Sequence, residues 1–367
     1  MGNDEDEQLL QSALAVLRNY LPGQWSADFQ PTAVAGGTDA VLVLTGGSSN
    51  ATFIVEARSR LSPKEIEDTF GAPSFRRLRA HGRQRVIVIA PYLSRRARDL
   101  LTAEDICYID LTGNVRIVHE YPSVWVEKDG AARDPAAKPR PARGLRGAAA
   151  GKIVRGLIDV RPPYGVTELA RVLRVDAGYA TRVLEALDAE ALIERGRRGR
   201  VMDADWESLL RRRAETLDLL SPRGAETYVA PSDISMALGV LEASGRKDVM
   251  ISGSTAASRL APVAPAALLV LYSMDREGLA ADLDLVAVSE GANVALIRPQ
   301  NTAPFLNAGS FPPFTFAAPS QIAIDCLSGN GRMPAEGEAV IEWMKRDVER
   351  WRLTSLDEVR WPRWVQP

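Results

Sequence analysis

The sequence has few of the residues on which metal and thiol chemistry depend. Of 367 residues, only two are cysteines, Cys107 and Cys326, and only two are histidines, His81 and His119. Because the cysteines lie far apart, neither a zinc cluster nor a disulfide framework is available, and both are expected to be buried structural thiols. Two histidines also leave too little material for a histidine metal site or a Ser-His-Asp triad.

Long apolar runs are missing as well. None approaches the roughly 20 residues that a membrane-spanning helix needs. The acidic residues 4–7 are the reverse of the basic head of a signal peptide. These features predict a cytoplasmic protein without a membrane partner.

What the sequence does contain is an uneven distribution of charge. Residues 138–213 hold 17 basic and 10 acidic side chains, a balance of +7, whereas residues 1–137 and 214–367 carry −3 and −6. A basic segment between two acidic ones is typical of a nucleic-acid-binding module carried by other domains. The alternative is a solvated surface without a ligand.

The first 127 residues alternate between helical and strand-like patterns. Residues 40–44 and 52–57 predict a hairpin, and residues 85–90 predict a buried strand. A helix is expected after Ser62, which is followed by Pro63 and an early acid, and a second helix is expected over residues 94–102. Further strands at 107–111 and 115–118 complete the pattern of an α/β domain.

A linker and a compact helical module follow. Residues 128–150 are mostly Ala, Gly, Pro and Arg with almost no large apolar residue, which predicts a linker. Residues 151–213 then predict three helices and a hairpin, with Thr167 as the N-cap of the second helix and Asp176 as the N-cap of the third. The hairpin pairs residues 191–195 with 200–202 across a glycine-flanked turn.

This arrangement predicts a winged helix-turn-helix. The third helix buries an apolar face and leaves its opposite face free for the major groove, while the hairpin forms a wing whose arginines reach phosphates. The predicted DNA-binding residues are Thr167, Gly178, Tyr179, Thr181, Arg182, Arg195, Arg197, Arg198 and Arg200. The alternative is a module that only mediates dimerisation. Three interpretations are open for the arginines at 211–213: a solvated face, a dimer contact or a phosphate contact.

Residues 165–170, the capped third helix and the arginine wing resemble the winged helix-turn-helix of bacterial regulators. Residues 108–116 resemble a stretch of AbiEi-like proteins, the antitoxin and repressor halves of type IV abortive-infection systems; a plain turn between two strands explains the same residues. Residues 291–299, 319–325 and 331–336 resemble the carboxy-terminal domains of that family. The resemblance implies that such a domain senses an effector, dimerises or opposes a toxin.

A nuclease-like constellation precedes the linker. Asp39 comes just before the first hairpin strand, and Glu56-Ala57-Arg58 ends the second, so Glu56 and Arg58 are expected to share a face. With the following elements, they resemble the PD-(D/E)XK restriction-endonuclease fold. The resemblance implies that Asp39 and Glu56 would hold magnesium and that Arg58 replaces a catalytic lysine. Because a guanidinium stays protonated, the replacement favours an inactive scaffold over an active nuclease or an unrelated salt-bridged strand.

The last segment, 214–367, contains a second motif with an alternative interpretation. Residues 250–257 include Gly253-Ser254 and resemble the opening of nucleotidyltransferase folds, which cradles a triphosphate. The acids Asp282 and Asp284 follow too late for the expected pair, and residues 279–285 equally fit a helix end. Four tryptophans near the end are expected to anchor terminal helices. They are Trp343, Trp351, Trp361 and Trp364.

The sequence therefore predicts an α/β multidomain protein. Its expected domains are a restriction-endonuclease-like domain at 1–127, a linker at 128–150, a winged helix at 151–213 and an effector or dimerisation domain at 214–367. The expected function is that of a transcriptional regulator, nucleoid-associated, which binds double-stranded DNA without a cofactor. A homodimer is expected, with a toxin or another protein as a further partner. The alternative is a magnesium-dependent endonuclease targeted by the winged helix, and a third hypothesis is a protein-interaction module.

Overall fold

The computed structural model describes residues 3–30, 40–72, 75, 85–131, 134–135, 147–222, 224–231 and 233–365. Its contacts divide the chain into two compact units. The first comprises Met1–Arg140 with Ala189–Ala191, and the second comprises Pro141–Asp188 with Leu192–Pro367. The protein is thus an α/β multidomain protein with several sheets. No helix of the described ranges has the length and apolar character needed to cross a membrane.

The first unit is built on a seven-stranded sheet whose spatial order follows the sequence. Its strands pair antiparallel except at β3–β4 and β4–β5, which are parallel. The strands are β1 (Trp25–Gln30), β2 (Ala40–Gly46), β3 (Ser49–Ala57), β4 (Arg85–Ala90), β5 (Cys107–Asp110), β6 (Val115–His119) and β7 (Val124–Lys128). Among the residues that the structure describes, the helices of this unit are α1 (Asn3–Arg18), α2 (Pro63–Phe70) and α3 (Arg95–Ala103).

Successive side chains of β4 point to opposite faces of the sheet, and both faces are covered by apolar clusters. Ile87 and Ile89 join the apolar cluster that includes residues of α1, whereas Val88 and Ala90 join the cluster of α2 and α3. The parallel connections to β4 and β5 run through α2 and α3, as strand-helix-strand units require. The predicted alternation of strands and helices is therefore present, and the predicted strand over residues 85–90 is confirmed.

The second unit opens with the predicted helical module and hairpin. The helices are α4 (Ala148–Asp159), α5 (Val166–Leu173), α6 (Ala177–Ala189) and α7 (Trp206–Ala214). The hairpin pairs β8 (Ile193–Arg195) antiparallel with β9 (Val201–Ala204). One local prediction is wrong: the N-cap of α5 is Gly165 and not Thr167, which lies inside the helix. Helix α5 starts early because Val166 and Leu169 both pack into the core.

A second seven-stranded sheet makes up the rest of this unit, in the order β13-β10-β14-β12-β11-β16-β15. Its strands are β10 (Ala225–Val229), β11 (Val249–Ser252), β12 (Leu269–Ser273), β13 (Val286–Ala287), β14 (Val294–Ile297), β15 (Gly309–Phe311) and β16 (Phe314–Phe316). Its helices are α8 (Ile234–Ala243), α9 (Gly253–Leu260), α10 (Arg276–Asp282), α11 (Pro319–Leu327), α12 (Met333–Arg346) and α13 (Val348–Trp351).

The two parts of the second unit share one core. Apolar residues of α4–α7 and of the sheet belong to a single buried cluster, so no break in contacts falls at residue 213, where the sequence suggests a domain boundary. The four terminal tryptophans pack against this cluster, as expected for anchors. Trp351 also meets Trp206 of α7 edge to face, with ring centroids 5.1 Å apart.

A buried polar network crosses this shared core. Arg155 on α4 donates to the Asp159 carboxylate at 2.9 Å and to the Gln321 side-chain oxygen of α11 at 2.6 Å. Asp159 also accepts from Ser320 at 2.5 Å and from Asn307 at 2.9 Å. Because a buried charge needs partners in fixed places, this network fixes α4 on α11. Its members are Arg155, Asp159, Ser252, Tyr272, Asn307, Ser320, Gln321 and Asp325.

Candidate nucleic-acid interface

The start of α6 is fixed by a short turn and a side-chain cap. Arg174 adopts a left-handed conformation with φ 54°, which ends α5 and reverses the chain. Asp176 then accepts a hydrogen bond from the Tyr179 amide at 2.7 Å, so the predicted N-cap of α6 is confirmed. Ala180, Val183, Leu184 and Leu187 are buried, as predicted for the core face of this helix.

The opposite face of α6 is open to solvent at its first two turns. Ala177, Gly178 and Arg182 are exposed, and Tyr179 and Thr181 are half-buried. The Arg182 guanidinium lies over the Tyr179 ring, 5.7 Å from its centroid. The Thr181 hydroxyl donates to the Ala177 carbonyl at 2.9 Å, which leaves its oxygen available as an acceptor. The N-terminus of α6, which is the positive end of the helix dipole, thus carries small side chains followed by a cation.

The wing carries three arginines on its outer surface. Arg197, Arg198 and Arg200 are exposed, and none of them pairs with a carboxylate of the described residues. The turn is closed by the Gly196 amide, which donates to the Arg200 carbonyl at 2.9 Å. Left-handed backbone follows at Arg198 and at Gly199, where an added Cβ would lie 2.7 Å from a guanidinium nitrogen of Arg195. Glycine at 199 therefore shapes the tip.

Arg195 differs from its neighbours on the wing. Only 17% of its side chain is exposed, and its guanidinium lies 3.9 Å from the Glu185 carboxylate of α6. Of the nine predicted DNA-binding residues, Arg195 is thus placed to brace the wing against α6 rather than to project from it. Thr167 is exposed on α5.

Three further cations border this surface, and they were not predicted from the sequence. Lys152 of α4 lies near Arg174, and the pKa of its ammonium is lowered, first by burial and then by that neighbouring charge. Arg171 and Arg174 are exposed at the end of α5. None of the three forms an ion pair with an acid in the ranges that the structure describes. Arg171 and Arg174 have one signal in the sequence, the basic end of an amphipathic helix. No such signal marks Lys152, which lies in the first half of α4.

Other arginines of the second unit are engaged within the fold. Arg211 binds Glu338 at 2.5 Å and Glu207 at 2.9 Å, and these hydrogen bonds raise its pKa. Arg213 is buried, which rules out all three roles predicted for it, a solvated face, a dimer contact and a phosphate contact. Burial also lowers the pKa of its guanidinium to about 10. The cations without acid partners around α6 therefore differ from these structural arginines. We call the surface formed by Lys152, Arg171, Arg174, Arg182, Arg197, Arg198 and Arg200 the basic face.

The nuclease-like residues lie in the first unit. Glu56 is on β3, and Arg58, just after the strand, forms an ion pair with it. Asp39 lies outside the described residues, so the predicted acid pair is not tested. In the described ranges, no group of three His, Cys, Asp or Glu side chains is placed to hold a metal ion.

The turn between β5 and β6 is self-contained. Asp110, which is fully buried, accepts hydrogen bonds from the Leu93 amide and from backbone and side-chain groups of Thr112 and Asn114, at 2.7–3.1 Å. Asn114 in turn accepts from Arg98 at 2.6 Å. The structural explanation of residues 108–116 is sufficient, because this carboxylate is fully occupied by the turn and its neighbours.

The Gly-Ser segment of the second unit is also occupied by its own fold. Ser252 donates to Asp325 and Ser254 donates to Glu336, each at 2.5 Å, and all four side chains are buried. Asp282 ends α10 and binds Arg246 at 2.7 Å. Residues 276–282 are thus helical, and the segment that suggested a triphosphate cradle is packed against its neighbours.

Both cysteines are buried, as the sequence predicts. Burial raises the pKa of the Cys107 and Cys326 thiols, which disfavours the reactive thiolate.

No protein-family model, curated protein or solved structure matches this chain.

Proposed function

We propose that this protein binds double-stranded DNA through α6 and the wing and regulates transcription. The observation that carries the proposal is the basic face, where six exposed arginines and their half-buried neighbour Lys152, none with an acid partner among the described residues, border the open start of a capped helix. Polyanions are the ligands that such a surface attracts, because phosphates replace the missing carboxylates as partners.

The shape of the surface around the start of α6, next to the basic face, supports a DNA duplex as the ligand. Ala177 and Gly178 are small enough for the start of α6 to approach a groove closely, while Tyr179, Thr181 and Arg182 offer groups that can contact base edges. The exposed arginines of the wing lie beyond Gly196 and can reach phosphates or the minor groove beside the helix. Phosphate contacts fix the orientation, and the side chains of α6 supply the specificity.

The replacement of Arg197 and Arg198 by alanine tests the proposal. We expect the double variant to bind DNA about thirtyfold more weakly at about 0.1 M salt, at roughly 1 kcal/mol for each lost phosphate contact. The slope of log affinity against log salt should fall by about 2, since each contact releases about one counterion. Fluorescence anisotropy with genomic DNA fragments between about 0.05 and 0.2 M salt measures both quantities.

A matched control removes two charges from another part of the same unit. Arg298 and Arg350 are both exposed, and their replacement by alanine should leave the salt slope unchanged. Equal slopes for the wing variant and the control variant would contradict the proposal.

A second pair of cations should contribute less. We expect Arg171→Ala with Arg174→Ala to weaken binding of all DNA sequences alike, by about three- to tenfold, because contacts at the end of α5 would reach phosphates and not base edges. Competition between specific and random duplexes separates this uniform loss from a loss of specificity. A change in sequence preference would show that these residues read bases.

The resemblance to AbiEi-like regulators supports the transcriptional part of the proposal. The order of elements in the first unit, a hairpin followed by helix, strand, helix and strand, is consistent with a restriction-endonuclease-like scaffold. The Glu56–Arg58 ion pair favours a scaffold without nuclease activity. Immunoprecipitation of bound genomic DNA would reveal peaks near promoters. Uniform recovery of the genome would contradict a regulatory role while leaving DNA binding in place.

A further inference from the structure

Helix α8 presents an unusual surface for a helix on the outside of a sheet. Only Ala237 and Leu241 are fully buried. On the other side, Met236 is 59% exposed and Val240 is 41% exposed. Together with Gly239 and the exposed Ala243, they form a stripe at positions i, i+3, i+4 and i+7, which we call the α8 stripe. Contiguous exposed apolar side chains mark contact surfaces more often than scattered ones do.

We propose that the α8 stripe packs antiparallel against the same stripe of a second copy of this chain. A two-fold axis between Gly239 and Val240 pairs position 236 with 243 and position 239 with 240. Each large side chain then faces a small one: Met236 faces the partner's Ala243, and Val240 faces the partner's Gly239. An added Cβ at Gly239 would meet nothing within 4 Å, so the surface is open for close approach. Self-complementarity of this kind is what a two-fold interface requires.

The charges at the two ends of α8 select this occupant and orientation. Asp233, the exposed N-cap, precedes the helix, and the exposed Lys247 follows it without an ion pair in the described part of the chain. Antiparallel packing brings each Asp233 toward the partner's Lys247 and opposes the two helix dipoles. Parallel packing would instead bring like charges together. The charge pattern therefore fits a second copy in one orientation.

The size of the α8 stripe sets the expected strength. One short helix pair buries less than the roughly 800 Å² per partner of a standard interface. The dimer alone should therefore dissociate in the range of about 1–100 µM. On DNA with two half-sites, a consequence that rests on the proposed function, the same contact would act at high effective concentration and make binding cooperative.

Disulfide trapping of Gly239→Cys tests the interface. Residue 239 lies beside the axis, so two introduced thiols would meet across it, while Cys107 and Cys326 are buried and do not compete. The control is Glu277→Cys on the exposed surface of α10. At about 10 µM under mild oxidation, the position-239 variant should form covalent dimers at least ten times faster than the control.

A second variant removes the apolar contact itself. Val240→Glu, at a position already open to solvent, should retain the fold and shift sedimentation from a monomer-dimer mixture toward monomer. Trapping at the control rate, or sedimentation unchanged by Val240→Glu, would overturn the interface. Neither result bears on single-site DNA binding, because the basic face is unaltered in both variants.

Discussion

Replacing Arg155 with methionine is expected to destabilise the second unit by about 3–5 kcal/mol. The side chain is 1% exposed and donates to Asp159, to Gln321 and to the carbonyls of Ala303 and Leu306 at 2.6–3.3 Å. Methionine fills most of the volume of the arginine side chain but provides none of its N–H donors. A buried carboxylate and three buried oxygens would then lack the partner around which they are arranged.

The melting temperature should report this loss directly. A decrease of roughly 10 °C is expected, at about 2–4 °C per kcal/mol for a unit of this size. Because Arg155 joins α4 to α11, the whole second unit should unfold in one transition, which hydrogen exchange resolved to peptides of α4–α7 and of the second sheet can follow in the full chain. Loss of protection in α4–α7 at a lower temperature than in that sheet would contradict the single core inferred for this unit.

Arg211→Met is the matched control for Arg155→Met. Arg211 also bridges two elements through carboxylates, but it is about one third exposed, so its removal should cost less than about 1 kcal/mol. A double-mutant cycle with Asp159→Asn should give a coupling energy of about 1–3 kcal/mol for the buried pair. If Arg155→Met costs no more than Arg211→Met, the buried polar network does not hold the two parts together.

Local signals in the sequence predicted many of the elements. Ser62, Pro63 and Glu65 predict a helix start, and the structure has the complete capping box there, with Pro63 as the first helical residue. These signals depend on residues within one turn of each other, so no information about the rest of the fold is needed. The arginine wing was predicted for the same reason, since both of its strands and its turn lie within 14 residues.

Features that depend on distant partners could not be predicted. Strand β1 contains few strand-forming residues, and it is extended because β2 pairs with it along six positions. Arg155 and Asp159 have the i, i+4 spacing of a solvated ion pair, whereas Ser320 and Gln321, some 160 residues away, convert them into a buried network. Likewise, no local signal distinguishes the buried Arg213 from the partly exposed Arg211.

Asp325→Asn is expected to make the second unit more stable at pH 7.5 and to leave its stability near pH 4 unchanged. The Asp325 carboxyl is fully buried, and this burial raises its pKa from 3.8 to about 6 despite hydrogen bonds from Ser252, Gln321 and Tyr272. Asparagine retains these contacts: its oxygen can accept from Gln321 and Tyr272, and its amide can donate to the Ser252 hydroxyl, which rotates to accept.

The direction of the effect follows from proton linkage. A carboxyl whose folded pKa exceeds its unfolded pKa holds its proton more tightly when folded, so it contributes stability below pH 3.8 that is lost as the pH rises through 6. The loss is on the order of 3 kcal/mol, from about 1.4 kcal/mol per unit of pKa. Asparagine does not titrate, so the difference in unfolding free energy between the two proteins should grow between pH 4 and 6 and stay constant above.

Chemical denaturation of both proteins at several pH values measures that difference. Asp284→Asn is the control, because Asp284 is exposed in a left-handed turn that asparagine also adopts, so this substitution removes a carboxylate without changing the buried network. Asp325→Ala should destabilise the unit at all pH values, since three buried donors lose their acceptor. A pH-independent difference for Asp325→Asn would show that the Asp325 carboxyl carries the same charge in the folded and unfolded chains across this range.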